Sequence, residues 1–120
     1  MTIPFTVHYN DARAVRYTRE ENGLDGVSRR MVQRSDGLPF GVHHATVKAP
    51  GSYGGTSGED VAIYALEGSA TAWVDDHEFD FQAGQVLVIP RGSAYRIEHP
   101  DNDQTTLIFL TPPPSEGKHH

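Results

Sequence analysis

The sequence contains no cysteine among its 120 residues. Disulfide bonds, thiolate metal sites and cysteine nucleophiles are therefore excluded, and this absence suits a reducing compartment. Positive charge is also scarce, because ten Lys and Arg residues stand against sixteen Asp and Glu residues and give a formal net charge of −6. Such a balance repels phosphate backbones, so we expect no nucleic-acid partner.

Long hydrophobic runs are missing as well. No stretch is apolar over the length that a membrane-spanning helix needs, so we expect no membrane partner. Residues 2–5 offer neither the basic nor the apolar region of a secretion signal, which favours a cytoplasmic protein. Residues 117–120 resemble the remnant of an affinity tag, and the two histidines there are left out of every functional interpretation.

The residues that are present favour β-structure. Twelve glycines and eight prolines divide the chain into short segments rich in Val, Ile, Tyr, Phe and Thr. This pattern predicts seven strands, at 40–48, 61–66, 70–74, 78–81, 85–89, 95–98 and 105–110. Seven short strands at this spacing are typical of a sandwich or barrel, and the chain length fits one domain.

Three segments lie outside these strands. Residues 10–21 mix helix-favouring and strand-favouring side chains, so the pattern does not decide between the two. The glycine-rich residues 49–58 are predicted to form a flexible loop over the mouth of the barrel. Three prolines from Pro112 onward cannot continue a strand ladder. We therefore expect an N-terminal arm with strands over 1–39, a barrel over 40–111 and a disordered tail over 112–120.

Two motifs resemble those of the cupin superfamily. From Gly84 the chain reads Gly, five residues, Pro90, one residue, Gly92, two residues and then Tyr95, where the second cupin motif normally ends in His. Residues 63–68 are similar to the strand and turn that close the first cupin motif. The resemblance implies an all-β fold of the cupin type, a double-stranded β-helix or jelly-roll barrel.

Within that superfamily the chain is similar to ectoine synthase over 21–23, 28–30, 40–51 and 109–113. The resemblance implies that Thr46 lines the substrate pocket. Since strand side chains alternate between faces, His44 and Val42 would then point inward as well, and His43 and Ala45 would face away.

The usual metal ligands of cupins are replaced in this sequence. Most cupins hold an ion with a His-x-His pair, a Glu and a final His, but residues 53–55 here read Tyr-Gly-Gly and the final position is Tyr95. A carboxylate remains only as Glu59 or Asp60. The ligand positions of ectoine synthase fall on Val61, Leu87 and Tyr95. We therefore expect no cofactor and no metal at the usual positions.

The candidate catalytic residues are His44, Tyr53 and Tyr95, because an imidazole and two phenols can orient a polar substrate and move a proton. The candidate substrate-binding residues are Thr46, Glu59, Trp73 and Leu87. Each candidate also has a non-functional alternative, which remains open. His44 would bond a backbone carbonyl, and Tyr53 and Tyr95 would fill the space of an absent ion. Glu59 would be a solvated carboxylate, and Trp73 would belong to the core. His77 and His99, near strand ends, are not expected to be ligands.

The leading functional hypothesis is a metal-independent cyclase, isomerase or lyase that acts on a small polar metabolite. One alternative is a non-catalytic metabolite-binding or sensor cupin. Another is a metalloenzyme with displaced ligands, which would recruit His44, Glu59 and Tyr95. The resemblance to small cupins also implies a homodimer in which N-terminal strands extend the sheet of the partner.

Overall fold

The computed structural model of the protein describes residues 4–11, 13–19 and 24–111. Within these ranges the regular structure is β-strand apart from short 3-10 helices at Tyr9–Asp11 and Arg34–Asp36. None of the described residues belongs to a helix that is long and apolar enough to cross a membrane. The strands are β1 (Arg13–Arg19), β2 (Leu24–Val32), β3 (Gly41–Val47), β4 (Gly51–Thr56), β5 (Asp60–Glu67), β6 (Ser69–Val74), β7 (His77–Gln82), β8 (Val86–Ile89), β9 (Ala94–His99) and β10 (Gln104–Thr111).

These strands form two antiparallel sheets. The larger sheet has six strands in the order β1-β2-β3-β10-β5-β8, and the smaller has four in the order β4-β9-β6-β7. Strands distant in the chain are neighbours in both sheets, as in β3 with β10 and β4 with β9. This arrangement confirms the predicted all-β fold of the jelly-roll kind.

The core lies between the two sheets. Strand β6 illustrates this position of the core. Its buried and half-buried side chains alternate along the sequence Ser-Ala-Thr-Ala-Trp-Val, so one face of the strand points into the core. Burial of such alternating apolar side chains from both sheets provides the main driving force for folding. The buried core cluster comprises Ile63, Ala65, Ala70, Ala72, Val74, Phe81, Leu87, Ile89 and Ile97.

The glycine-rich segment was wrongly predicted to be a flexible loop. Residues Gly51–Thr56 form β4, which pairs along its whole length with β9. A Cβ atom on Gly54 would meet the backbone of Tyr95 and Arg96, so the missing side chain allows the two strands to approach closely. Glycine here serves a sheet contact and not a mobile segment.

The N-terminal strands belong to the larger sheet of the same chain. Strand β1 occupies most of the ambiguous segment 10–21 and pairs with β2, which in turn pairs with β3. Within one chain these strands therefore extend its own sheet. The predicted tail over 112–120 lies outside the described residues.

Candidate functional site

Strand β3 shows which of its side chains face the interior. Ala45 and Val47 are only 2% and 4% exposed. Thr106, the in-register partner of Ala45 on β10, is buried as well. Because side chains alternate along a strand, the odd-numbered residues of β3 point inward, and His43 shares the face of Ala45.

The predicted orientation of β3 was therefore wrong by one residue. His44 lies on the outer face, where the ring of Tyr9 stacks on it with centroids 4.5 Å apart. Thr46 lies on the same outer face, where its hydroxyl is 3.2 Å from that of Thr105. Since the side-chain period of a strand is two, a register error of one residue exchanges the two faces completely.

Strand β2 repeats this division between faces. Arg30 pairs in register with the inward-facing His43, whereas Arg29 pairs with His44 on the outer side. The Nε atom of Arg30 is buried and has no hydrogen-bond partner among the described residues. A guanidinium and an imidazole thus lie side by side on the inner face of the larger sheet.

Both residues line a cavity of about 600 Å³. It lies between β2, β3, the connection that joins these two strands, and the turn that precedes β5. Glu59 of that turn also lines it, and is the only candidate site residue from the sequence analysis that does. The lining comprises Arg30, Val32, Gln33, Ser35, Leu38, Phe40, Gly41, His43, Glu59 and Leu110.

Local hydrogen bonds fix the two connections that border the cavity. The backbone amide of Gln33 donates to the carboxylate of Asp36 at 2.8 Å, which closes the turn after β2. The hydroxyl of Ser57 donates to the carbonyl of Glu59 at 2.6 Å. Such side-chain bonds to nearby backbone define the turns that carry Gln33 and Glu59.

The environment of His43 keeps its imidazole neutral. Burial lowers the pKa of His43 from its ordinary value of 6.5, and the neighbouring charge of Arg30 lowers it further. Both effects disfavour the imidazolium form, so the neutral ring predominates at neutral pH. A neutral imidazole can accept a proton, which is the property required of a general base.

Tyr53 and Tyr95 form a separate pair. Their rings meet edge to face with centroids 6.5 Å apart, and both pack against the core cluster. Burial raises the pKa of the Tyr95 phenol. Both tyrosines pack against the core whereas His44 lies on the outer face, so the predicted trio is not brought together, and none of the three lines the cavity.

His99, near the end of β9, is a buried polar residue outside the predicted site. It is 1% exposed, and its Nε2 atom lies 2.9 Å from the side-chain oxygen of Gln104, which is equally buried. The ring of Tyr53 stacks on that of His99 at 5.8 Å. Burial lowers the pKa of His99, although the bond to Gln104 partly offsets this effect. In the sequence, His99 follows the apolar Ile97 by two residues, and this spacing places both side chains on the same face of the strand.

The two remaining candidates, Trp73 and Leu87, lie away from the cavity. Trp73 is on the outer face of the smaller sheet, where the guanidinium of Arg96 sits 4.3 Å from its ring centroid. Its indole nitrogen donates to Glu78 at 3.2 Å. Leu87 is 5% exposed and belongs to the core cluster, so it packs against neighbouring side chains and does not line the cavity.

Comparison of the whole sequence with family models identifies its relatives. A model described as a cupin domain matches residues 49–111, which is more than half of the chain. The chain belongs to the cupin family. No curated protein matches the sequence of this cupin.

Solved structures share the fold at low sequence identity. A protein described as a predicted oxalate decarboxylase from Thermotoga maritima has a TM-score of 0.78 and 15% identity, over 91% of this chain and all of the other. The polyketide cyclase RemF from Streptomyces resistomycificus has a TM-score of 0.71 and 23% identity, over 91% of this chain and 80% of its own. A cupin-2 domain from Rhodospirillum rubrum has a TM-score of 0.77 and 13% identity, over 97% and 80% of the two chains.

The ion that most cupins hold does not fit the donors found here. On β4 and β9, Gly55 lies opposite Tyr95, and Tyr53 lies opposite Ile97. Within the described ranges, no three or more His, Asp or Glu side chains are grouped so that they could hold a metal ion. Neutral phenols and glycine are poor substitutes for the imidazole and carboxylate ligands that such ions prefer.

Proposed function

We propose that this cupin binds a small polar metabolite in the cavity of Arg30, His43 and Glu59 and rearranges it by proton transfer. The reaction class is that of a metal-independent cyclase, isomerase or lyase. One observation carries this proposal: an imidazole and a guanidinium occupy in-register positions on the inner face and line the same cavity.

The chemistry follows from these two side chains. His43 accepts a proton from a substrate carbon or heteroatom, and Arg30 stabilises the negative charge that develops on a substrate oxygen. Return of the proton to another atom of the same molecule gives an isomer or a ring. Transfer of the proton to a leaving group gives a lyase reaction. None of these outcomes needs an external oxidant or reductant.

The structural relatives support this range of chemistry. RemF is described as a polyketide cyclase, and the Thermotoga maritima protein as a predicted oxalate decarboxylase. Their folds are shared with this chain, whereas the reaction assigned here rests on its own cavity, because one fold hosts many functions.

The proposal includes a cytoplasmic location and a homodimer. Exposed apolar side chains on the outer face of the larger sheet support the dimer. Val88 lies opposite Ala62, which lies opposite the exposed Phe109, and Val86 lies opposite the exposed Tyr64. Contiguous exposed apolar groups of this kind are typical of interaction surfaces.

The experiment is a metabolite-consumption assay. Protein freed of its C-terminal histidines is incubated with a bacterial metabolite extract, with and without a metal chelator, and the extract is analysed by mass spectrometry. Heat-denatured protein is the control. We expect one compound to disappear and an isomer or an elimination product to appear, equally in both conditions.

Each other outcome identifies a different function. A compound that the protein retains on filtration but returns unaltered would make this chain a binding or sensor cupin. Loss of turnover with the chelator would make it a metalloenzyme with displaced ligands. Either result would overturn the proposed reaction.

A further inference from the structure

Arg30 provides the cavity with one positively charged group that can bind an anionic part of a ligand. Arg30 is near enough to His43 to lower the pKa of its imidazole, so the guanidinium charge acts within the cavity. Its Nε atom lacks a hydrogen-bond partner among the described residues. Guanidinium groups bind carboxylates and phosphates through paired hydrogen bonds in a fixed fork geometry.

Four apolar side chains form one part of the remaining wall, and Gln33 and Ser35 form a polar part. Val32 ends β2, Leu38 and Phe40 come from the connection to β3, and Leu110 comes from β10. Phe40 is 42% exposed although it is a large aromatic residue. Apolar walls around a small number of fixed polar groups are typical of small-molecule sites, where the apolar part binds the body of the ligand and the polar part orients it.

The single carboxylate of the lining limits the charge of the ligand. Glu59 is half-buried at the turn before β5. A phosphate dianion would be repelled by this carboxylate and would have one guanidinium to neutralise it. A monoanion with one planar carboxylate can bind Arg30 with less repulsion from Glu59.

We infer that the ligand of this cavity is an organic monocarboxylate with an apolar or aromatic body, whose carboxylate binds Arg30 and whose body lies against Leu38, Phe40 and Leu110. The inference rests on the proposed function, since it names the substrate class of the same cavity. His43, in register with Arg30 on the neighbouring strand and on the same cavity wall, then lies beside the bound carboxylate.

Three probes of similar size test the class of ligand on the unaltered protein. Phenylacetate, phenylacetamide and 2-phenylethylamine share an aromatic body and carry a negative, neutral or positive group. Each is titrated into ¹⁵N-labelled protein, and the backbone amide shifts of Arg30, His43 and Leu110 are followed by NMR. We expect phenylacetate to bind at least about tenfold more tightly than the amide, as a charged hydrogen-bond pair requires.

A matched pair of variants tests the residue. Arg30→Gln removes the inward guanidinium, and Arg29→Gln removes its neighbour on the outer face. We expect Arg30→Gln to weaken phenylacetate binding by about tenfold or more and to weaken phenylacetamide binding much less, because only the carboxylate forms a charged pair with the guanidinium. Arg29→Gln should match the wild type for both probes. Arg30→Lys keeps the positive charge but loses the planar fork of N–H donors. Its affinity for phenylacetate should lie between those of Arg30→Gln and Arg29→Gln, and this affinity shows whether charge alone is enough for binding.

The outcomes separate the two proposals. If phenylacetamide or 2-phenylethylamine binds the cavity as tightly as phenylacetate, the carboxylate assignment is wrong while the cavity remains a binding site. If none of the three probes shifts the cavity amides, the ligand site itself is wrong and the proposed function falls with it. Equal loss of phenylacetate binding in Arg29→Gln and Arg30→Gln would also overturn the assignment to Arg30.

Discussion

Two pairs of neighbouring residues have opposite surroundings in this protein. Arg30 and His43 face the interior, and Arg29 and His44 lie at in-register positions on the outer face. Arg29 and Arg30 carry the same side chain, as do His43 and His44, so their surroundings alone separate their roles. This feature provides matched controls at the residue scale.

The first prediction concerns the pKa of each histidine. Arg30 lowers the pKa of His43 and Arg29 lowers that of His44, in each case after the larger effect of burial. Arg30→Gln should therefore raise the pKa of His43 and leave that of His44 in place, and Arg29→Gln should do the reverse. An NMR titration of the imidazole C–H protons measures both values. An identical response to the two substitutions would show that the side chains do not alternate as described.

The inward face of β3 could be predicted only in part from the sequence. Its length and strand character were predicted, but the pattern Val42-His43-His44-Ala45-Thr46-Val47 has apolar residues on both faces. Because Ala45 is small, its apolar side chain is weak evidence that the odd-numbered residues of β3 face the core. A strand with two mixed faces specifies its register weakly, so tertiary packing decides it.

At the scale of the element, glycine in β4 is required for close contact between strands. A Cβ atom on Gly54 would meet the backbone of β9, whereas one on Gly58 would meet nothing within 4 Å. Gly54→Ala should therefore lower the free energy of unfolding by about 1–3 kcal/mol. Gly58→Ala should change it by less than about 0.5 kcal/mol.

Urea unfolding followed by tryptophan fluorescence measures both variants, since Trp73 is the only tryptophan. The separation of β4 from β9 would also disturb the edge-to-face pair of Tyr53 and Tyr95. Equal stability of Gly54→Ala and the wild type would mean that the two strands are further apart than described.

Glycine also explains why β4 was absent from the predicted strands. Propensity disfavours glycine in strands, so a segment with several glycines is assigned to a loop. The benefit of glycine in β4 comes from the backbone of β9, more than thirty residues away in the chain. By contrast, the segments from β5 to β10 have alternating apolar residues and turn signals, and these local features were enough to predict them.

At the scale of the whole molecule, buried histidine makes stability depend on pH. Burial places the pKa of His99 in the folded state below its ordinary value of 6.5. As the pH falls below that value, the unfolded chain takes up the proton first and is stabilised. Stability is therefore complete above about pH 6.5 and is lost as the pH falls towards the lowered folded pKa.

Urea unfolding between about pH 8 and about pH 5 measures this dependence. His99→Gln should be less stable than the wild type at the upper pH, because it loses the buried bond to Gln104, but should lose less stability on acidification. His77→Gln, at an exposed position, is the control and should follow the wild type. If His99→Gln loses as much stability on acidification as the wild type, groups other than His99 cause the pH dependence.

The outer face of the larger sheet provides a prediction about assembly. Val88 is 60% exposed and lies in a row with Ala62 and Phe109. Val88→Lys should convert a dimer into a monomer, because a buried unpaired charge at an interface is costly. Size-exclusion chromatography with light scattering measures the mass. Thr71→Lys, on the outer face of the smaller sheet, should leave the dimer intact. A monomeric wild-type protein would contradict the proposed homodimer.

The cavity beside β2 and β3 is the centre of the functional proposal, and His43 is the residue on which it most depends. The most direct measurement compares metabolite turnover by His43→Gln and His44→Gln with that of the wild type, after circular dichroism has shown that both variants fold. We expect His43→Gln to lose about 10²-fold or more of the rate, as removal of a general base does, and His44→Gln to retain the wild-type rate. Equal turnover by the two variants would contradict the assignment of proton transfer to this cavity.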